Sequence, residues 1–466
     1  MQVGIIGGGI SGLATALFLS RRGHSVTVLE RDEESAPEKS EACFAVWRRQ
    51  SVGHANQSHV FLPRATQVLS AEAPDVVDAL LEAGIVAAPM FPDPSQPPAL
   101  HSRRLAFEGV LRRKTEAEPN VTFHAGSQVS GLLHIAGAAP HVTGVRTESG
   151  QELTFDLVVD CGGRSSHVAR HLAAIEARPP LEAEQKTGFF YLTRWYRLRD
   201  GATFPDAAGP PGCETGYCHF LVLAADNRTF SITLCLSELD PLRHAPRDPE
   251  LFDRIAAAVP LTAPWIACGE ATSEPKPFAN VHDRRRQLVD DEGPVVTGYV
   301  LVGDSAMCTN PNLGRGASLA MVHAQRLAST VGDASADPRA YAIAFHDWTV
   351  ANLGVWFDLQ AAVDSHYVRR LAAFFAGERE ESLPPAPYPA RAMCALAMSA
   401  ETDSRLAELF MKVSTVLMTL DEALAEPGVT EAIQRHIANA GSFFPPQHFP
   451  RAEFERLVSG SPAPGA

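Results

Sequence analysis

The reading that decides the fold begins at the first residue: Met1–Arg31 runs MQVGIIGGGISGLATALFLSRRGHSVTVLER. Val3, Ile5 and Ile6 make a short apolar run of the kind found in a parallel strand covered on both faces. Gly7, Gly9 and Gly12 follow at G-x-G-x-x-G spacing. The first permits a tight turn, the second lets a backbone approach pyrophosphate, and the third lets the next helix pack close to the strand. That helix carries Leu13, Ala16, Leu17 and Leu19 and ends near Gly23, a residue suited to a left-handed cap. A second strand, Ser25 to Leu29, delivers Glu30 where a carboxylate can bind an adenosine ribose hydroxyl. Strand, glycine triplet, helix, strand and terminal acid together specify a dinucleotide site.

Composition narrows the remaining choices. At 466 residues the chain exceeds one typical core, so two or three packed lobes are expected. A net charge of −14 argues against a nucleic-acid partner. No apolar run is long enough to span a bilayer, and the N-terminal stretch lacks the basic start of a signal peptide. The eight cysteines show no C-x-x-C pair or framework spacing, which predicts reduced thiols, no zinc site and a cytoplasmic protein.

Outward from the opening, Cys43–Arg64 mixes Trp47, Arg48, Arg49, His54, Gln57 and His59. Paired arginines match phosphate oxygens geometrically, so Arg48 is a candidate for a diphosphate. His54 and His59 read first as structural residues and only second as catalytic ones. Ala65–Ile85 and Arg103–Ala117 read as helical, with Arg104 at the start of the second. Val121–Phe123, Gln128–Leu133, Val142–Thr147 and Leu153–Phe155 read as short strands. Leu157–Asp160 (LVVD) returns to the buried-strand pattern and runs into CGGRSS, a backbone suited to wrapping a ligand. Gly188–Arg197, Tyr217–Leu223 and Arg228–Leu236 are aromatic and β-branched, as in an antiparallel sheet covering a cavity. Tyr299–Val302 is one more buried strand, and NPNLGRG (Asn310–Gly316) leads into a helix over Ala317–Ser329. From Tyr341 onward the spacing is helical, broken at Leu383–Pro389, and the final SPAPGA is expected to be disordered. The predicted architecture is α/β: a discontinuous Rossmann-type domain (1–178 and 289–335), an inserted antiparallel-sheet substrate domain (179–288) and a helical C-terminal region (336–466).

Three stretches share one logic of strand, glycine and polar anchor: GGGISG with Glu30, DLVVDCGGRSS (Asp156–Ser166), and GDSAMCTNPNLGRG (Gly303–Gly316). In this order they resemble the motifs of FAD-dependent monooxygenases of the para-hydroxybenzoate hydroxylase fold, together with the related flavin halogenases and geranylgeranyl reductases. The resemblance covers about Met1–Ser329. It implies that Gly7, Gly9 and Gly12 face the FAD pyrophosphate, Glu30 the adenosine ribose and Asp304 the ribityl chain. Arg104 matches the arginine kept near the cofactor, and Pro311, Gly314 and Gly316 would pass the isoalloxazine ring. Ile10, Ser11, Arg31, Arg48, Val129, Gly162 and Ala317 complete the expected cofactor set. A helix starting at Ala317 would aim amides at the N1–O2 edge of the ring, where reduced flavin is anionic.

Two departures stand out. Gly162 occupies the place of the hydroxylases' aspartate in "DG", and Met307 that of their histidine after "GD". The Asp160–Arg164 form is similar to that of halogenases and geranylgeranyl reductases, which puts a hydroxylase-style NAD(P)H encounter in question. The activity implied is monooxygenation, a hydroxylation or epoxidation of an organic molecule by molecular oxygen through a flavin C4a-hydroperoxide. The cofactor would carry the chemistry while the protein positions and excludes water. His59, Arg194, Tyr217 and Pro311 are the catalytic candidates, with Tyr191 and Tyr196 as further pocket residues. The alternative is an FAD-dependent reductase or dehydrogenase acting on an apolar molecule. A halogenase is disfavoured because its W-x-W-x-I-P motif is absent. Without a second glycine fingerprint, electrons are expected from visiting NAD(P)H or a separate flavin reductase.

Overall fold

The computed structural model describes residues 1–205, 211–379, 383–437 and 446–461. Of the C-terminal SPAPGA, only Ser461 falls within them. At the centre lies a five-stranded parallel sheet in the order Tyr299–Leu301, Leu157–Asp160, Gln2–Ile6, Ser25–Leu29, Val121–His124. Helices Ile10–Ser20, Pro63–Glu72, Arg104–Glu116 and Gly316–Thr330 contribute to the same core, which explains why the central strands need no polar face. The carboxyl ends of Gln2–Ile6, Leu157–Asp160 and Tyr299–Leu301 open together, so each of the three motifs arrives at one edge of the sheet. Ligands of open α/β sheets bind at such an edge.

The predicted hairpins between residues 128 and 155 form their own three-stranded sheet, Val129–Ile135, His141–Thr147 and Glu152–Thr154. The large antiparallel sheet has the order Gly212–Glu214, Cys218–Ala224, Thr229–Ser237, Phe189–Leu198, Gly269–Ala271, with Lys276–Phe278 also pairing the fourth strand. Leu181–Lys186 stays out of it. It pairs with His282–Gln287, whose other edge takes Met307–Cys308 from the third motif. A small sheet therefore joins the middle region to the turn that carries Pro311.

Strand Phe189–Leu198 is buried on both sides, and its alternation assigns its residues to two cores. Phe189 and Tyr191 meet the C-terminal helices, while Phe190, Leu192, Tyr196 and Leu198 pack with helix Pro249–Ala258 and with Phe454 of helix Arg451–Ser459. Helix Pro338–Thr349, capped by the Asp337 carboxylate, adds Tyr341 and Phe345 to the central core. Helices Val355–Ala376, Tyr388–Ala400, Ser404–Ser414 and Val429–Ile437 build the second core with Leu319 and Cys235. All eight cysteines are free thiols, and among the described residues no helix is long and apolar enough to cross a membrane.

Candidate functional site

Gly7, Gly9, Ile10 and Ser11 line one end of a single long cavity of about 1830 Å³. Gly12 lies just behind them, where a Cβ would collide with the Gly7 carbonyl oxygen, so helix and strand approach closely only because this residue is glycine. Glu30 and Arg31 line the same end, with Val129 and Gly162 from the neighbouring strand ends. Arg104 lies beside Gly9, and Asp304 and the turn of Pro311, Gly314, Gly316 and Ala317 line the same cavity. Gly314 holds a left-handed conformation (φ 66°) that ends the short Pro311–Leu313 turn and aims the chain into helix Gly316–Thr330. His59 lines the cavity beside this turn: a Cβ on Gly314 would lie 3.3 Å from the side chain of its neighbour Val60.

The structure brings these residues together and leaves Arg48, Arg194, Tyr196 and Tyr217 outside. Arg48 is exposed and uses its backbone N–H on Glu34. Its neighbour Arg49 reaches the cavity instead. Arg194 points to the far face of its strand, where its guanidinium donates to the Ser273 and Pro249 carbonyls and pairs with Asp253 at 2.7 Å. Tyr196 lies on that face too, donating to Asp253. Tyr217 packs among Phe374, Phe449 and Phe454. None of Arg194, Tyr196 and Tyr217 lines the cavity. Tyr191, on the opposite face from Arg194, donates instead to Asn310 of the third motif.

Electrostatics at the first end centre on Arg49, whose side chain is fully buried. Its guanidinium pairs with Glu30 at 3.0 Å, Asp32 at 2.9 Å and Glu108 at 2.8 Å. Glu108 meets Arg104 as well, at 3.0 Å. Burial alone would raise the Glu30 carboxyl, but the charge of Arg49 and the amides of Asp32 and Gly8 outweigh it and hold Glu30 below the usual carboxylate range. Glu30 Oε1 accepts from the Asp32 amide, and a carboxylate oxygen has room for another donor. An ionised acceptor with spare capacity suits a ribose hydroxyl.

Beneath the turn at the other end lies a second polar cluster. The Asn310 amide nitrogen donates to Asp283 at 2.7 Å and its side chain to Asp364 at 2.9 Å. Gln360 donates to Asp364 and to Asn312, and Gln185 to Asp283. Burial first, then the Asp283 charge, pushes the Asp364 carboxyl well up, and burial pushes Asp283 up too. Two interior carboxyls held this close are accommodated when they keep a proton between them.

This donor set fits FAD. A glycine cradle abuts a helix start, a carboxylate stands at each of the two ribose-like positions, and the cavity exceeds what a single drug-sized ligand fills. Glu30 would hold the adenosine end, Asp304 the ribityl chain, and the first amides of helix Gly316–Thr330 the ring edge.

Comparison with known proteins agrees. A family model described as FAD dependent oxidoreductase matches residues 2–94, and one described as tryptophan halogenase matches residues 50–176. Protein Rv3254 of Mycobacterium tuberculosis is 24% identical over 357 residues, spanning 69% of this chain and 71% of that protein. Among solved structures, flavin-dependent brominase Bmp2 superposes with a TM-score of 0.64 at 16% identity, covering 94% of this chain and 100% of its own. PqsL, a probable FAD-dependent monooxygenase from Pseudomonas aeruginosa, gives 0.59 at 17% identity over 81% and 99% of the two chains. 2-Methyl-3-hydroxypyridine-5-carboxylic acid oxygenase gives 0.55 at 16% over 84% and 96%. The chain therefore has the fold of these flavin enzymes, and the FAD dependent oxidoreductase model covers the segment that carries the glycine cradle and Glu30.

Proposed function

We propose that the chain is a monooxygenase that transfers one oxygen atom from O2 to an organic molecule. The observation that carries this reading is the continuity of the cavity. Besides the turn of Pro311–Ala317, its lining includes Leu221 and Leu223 of the antiparallel sheet and Met398, Phe410 and Met411 of the C-terminal helices. An apolar molecule held there would lie against the ring and away from water. Bound FAD, once reduced, supplies the two electrons that monooxygenation requires. The protein's part is to hold the cofactor through Gly7–Ser11, Glu30 and Asp304, to favour negative charge at the ring edge through the helix amides, and to enclose the substrate. The C-terminal helices act on this reading as cavity wall. Electrons come from NAD(P)H or from a separate flavin reductase.

The test is turnover of the FAD-loaded protein under 18O2 with a chemical or enzymatic flavin reductant. One labelled oxygen atom in the product supports the reading. Reduction or desaturation of the substrate without label would replace it by the reductase or dehydrogenase alternative. A halogenation reading draws on the tryptophan-halogenase match and on the likeness to Bmp2, so bromide and chloride belong in the same assay. A halogenated product in place of an oxygenated one would decide for it.

A further inference from the structure

The wall facing the flavin turn carries two imidazoles whose protons are placed by their neighbours. His54 and His59 stack with ring centroids 5.6 Å apart and planes 23° from parallel. Arg104 Nη1 lies 3.2 Å from His54 Nε2. A guanidinium only donates, so His54 Nε2 accepts and its Nδ1 carries the hydrogen. His59 is arranged in the opposite sense. Its Nδ1 lies 2.9 Å from the Gln57 carbonyl, which only accepts, so Nδ1 carries the hydrogen and Nε2 keeps a free lone pair. Neither His54 Nδ1 nor His59 Nε2 has a hydrogen-bond partner among the described residues, and both rings line the cavity.

This arrangement is held firmly. Gln57 donates to the Lys276 carbonyl and accepts from Thr193, which meets Thr233 at 2.7 Å. Ser58 joins the same row through Thr233 and Ser231, and Trp195 donates to the Asn56 carbonyl. The antiparallel sheet therefore fixes residues 56–59, and with them the tautomer of His59. Both rings stay neutral: burial, then the Arg104 charge, drives His54 well down and His59 to about 3.

We propose that His54 and His59 form a donor–acceptor pair that reads a neutral hydroxyl on the substrate, His59 Nε2 accepting its proton and His54 Nδ1 donating to its oxygen. A hydroxyl both donates and accepts, as the pair requires. A carboxylate in the same place would leave His59 facing an acceptor, and a hydrocarbon would leave both nitrogens dry and unpaired. The proposal rests on the cavity being the substrate site, as above, but not on the outcome of the oxygen chemistry.

The test titrates the FAD-loaded protein with 2-naphthol, 2-methylnaphthalene and 2-naphthoate, following the visible spectrum of the bound flavin. The expected result is a Kd for 2-naphthol at least about ten-fold below either analogue. His59→Leu should abolish that preference and raise the affinity for 2-methylnaphthalene, which no longer leaves His59 Nε2 unpaired. His59→Gln, whose amide oxygen can accept, should restore most of it. An unaltered flavin spectrum before titration confirms that each variant is folded and loaded. Equal affinities in the wild type, no response to 2-naphthol, or a preference that survives in His59→Leu would each overturn the proposal. Tight 2-naphthol binding with no labelled oxygen in any product would instead count against the monooxygenase reading alone.

Discussion

Two arginines are buried beside the same cavity, and their surroundings are opposites. Arg49 is enclosed by the carboxylates of Glu30, Asp32 and Glu108, each within 3.0 Å. Arg315, in the flavin turn, has no hydrogen-bond partner among the described residues and rests 5.3 Å from the centre of the Trp356 ring. The acid whose charge reaches it, Asp364, accepts from the Asn310 and Gln360 amides, and burial pushes its carboxyl well up. At the adenosine end, interior charge is paired and stays ionised. At the ring end, burial pushes the acid Asp364 well up and pulls the guanidinium of Arg315 down to about 10, which leaves it charged at neutral pH. The difference suits a cofactor that presents neutral hydroxyls to one end and gains negative charge at the other.

The sharpest way to break the contrast is Arg49→Met. It leaves three buried carboxylates without their common cation and should cost about 3–5 kcal/mol, read as a fall in the denaturant midpoint together with loss of bound FAD. Wild-type-like stability would show that the network is not what secures this end. Asp364→Leu comes next. It strands the donors on Asn310, Asn312 and Gln360 and should cost about 1–3 kcal/mol. Asp364→Asn should cost much less, because Gln360 has an unused amide oxygen and can turn to meet the new amide.

A pH series separates the two ends by sign. Glu30 sits below its usual value when folded, so its contribution is present at neutral pH and is lost as pH falls below about 4. Asp364 and Asp283 sit above theirs. The folded protein then holds protons that the unfolded chain releases near pH 4, and stability declines as pH rises from there toward the raised values. Asp364→Asn should flatten that decline, so its stability relative to wild type should improve steadily in melts from pH 5 to pH 8. A parallel pair of curves would show that the acids carry no shared proton.

The smallest expected effect on stability belongs to Arg315→Met. Exchanging an unbonded buried cation for a side chain of similar volume should change stability by less than about 1 kcal/mol, in either direction. Its consequence should appear in the cofactor instead. Losing a positive charge near the ring edge disfavours the anionic reduced state, so the midpoint potential of bound FAD should fall. A loss of stability as large as that of Arg49→Met would erase the distinction between the two arginines.

Most of the cofactor end is legible in the sequence because it is local. Gly7, Gly9, Gly12 and Glu30 fall within one strand–helix–strand unit, and their spacing alone places them. Arg48 and Arg49 are adjacent, and only the direction in which the chain leaves helix Ser40–Val46 decides which one enters the interior. Arg194 and Tyr191 lie on a strand covered on both faces, so no polar–apolar alternation marks the side that meets the cavity. The partnership of Asn310, Asp283 and Asp364 joins a turn, a strand and a helix far apart in the chain, and no spacing rule could have assembled it. His54 and His59 were visible as residue types. Their tautomers come from Arg104 and the Gln57 carbonyl, which only the folded chain brings into place.

The chamber beyond the flavin turn is closed by Met398, Phe410 and Met411, which belong to helices remote in sequence from the glycine cradle. On the proposed reading, cofactor capture and a large part of the substrate wall are therefore written in different parts of the gene. Substitution or exchange of the C-terminal helices can reshape what the enzyme accepts while the motifs that bind FAD stay untouched. In a lineage under pressure to take new molecules, this end of the chain is where change is cheapest, and two enzymes with indistinguishable N-terminal motifs can differ in every molecule they handle.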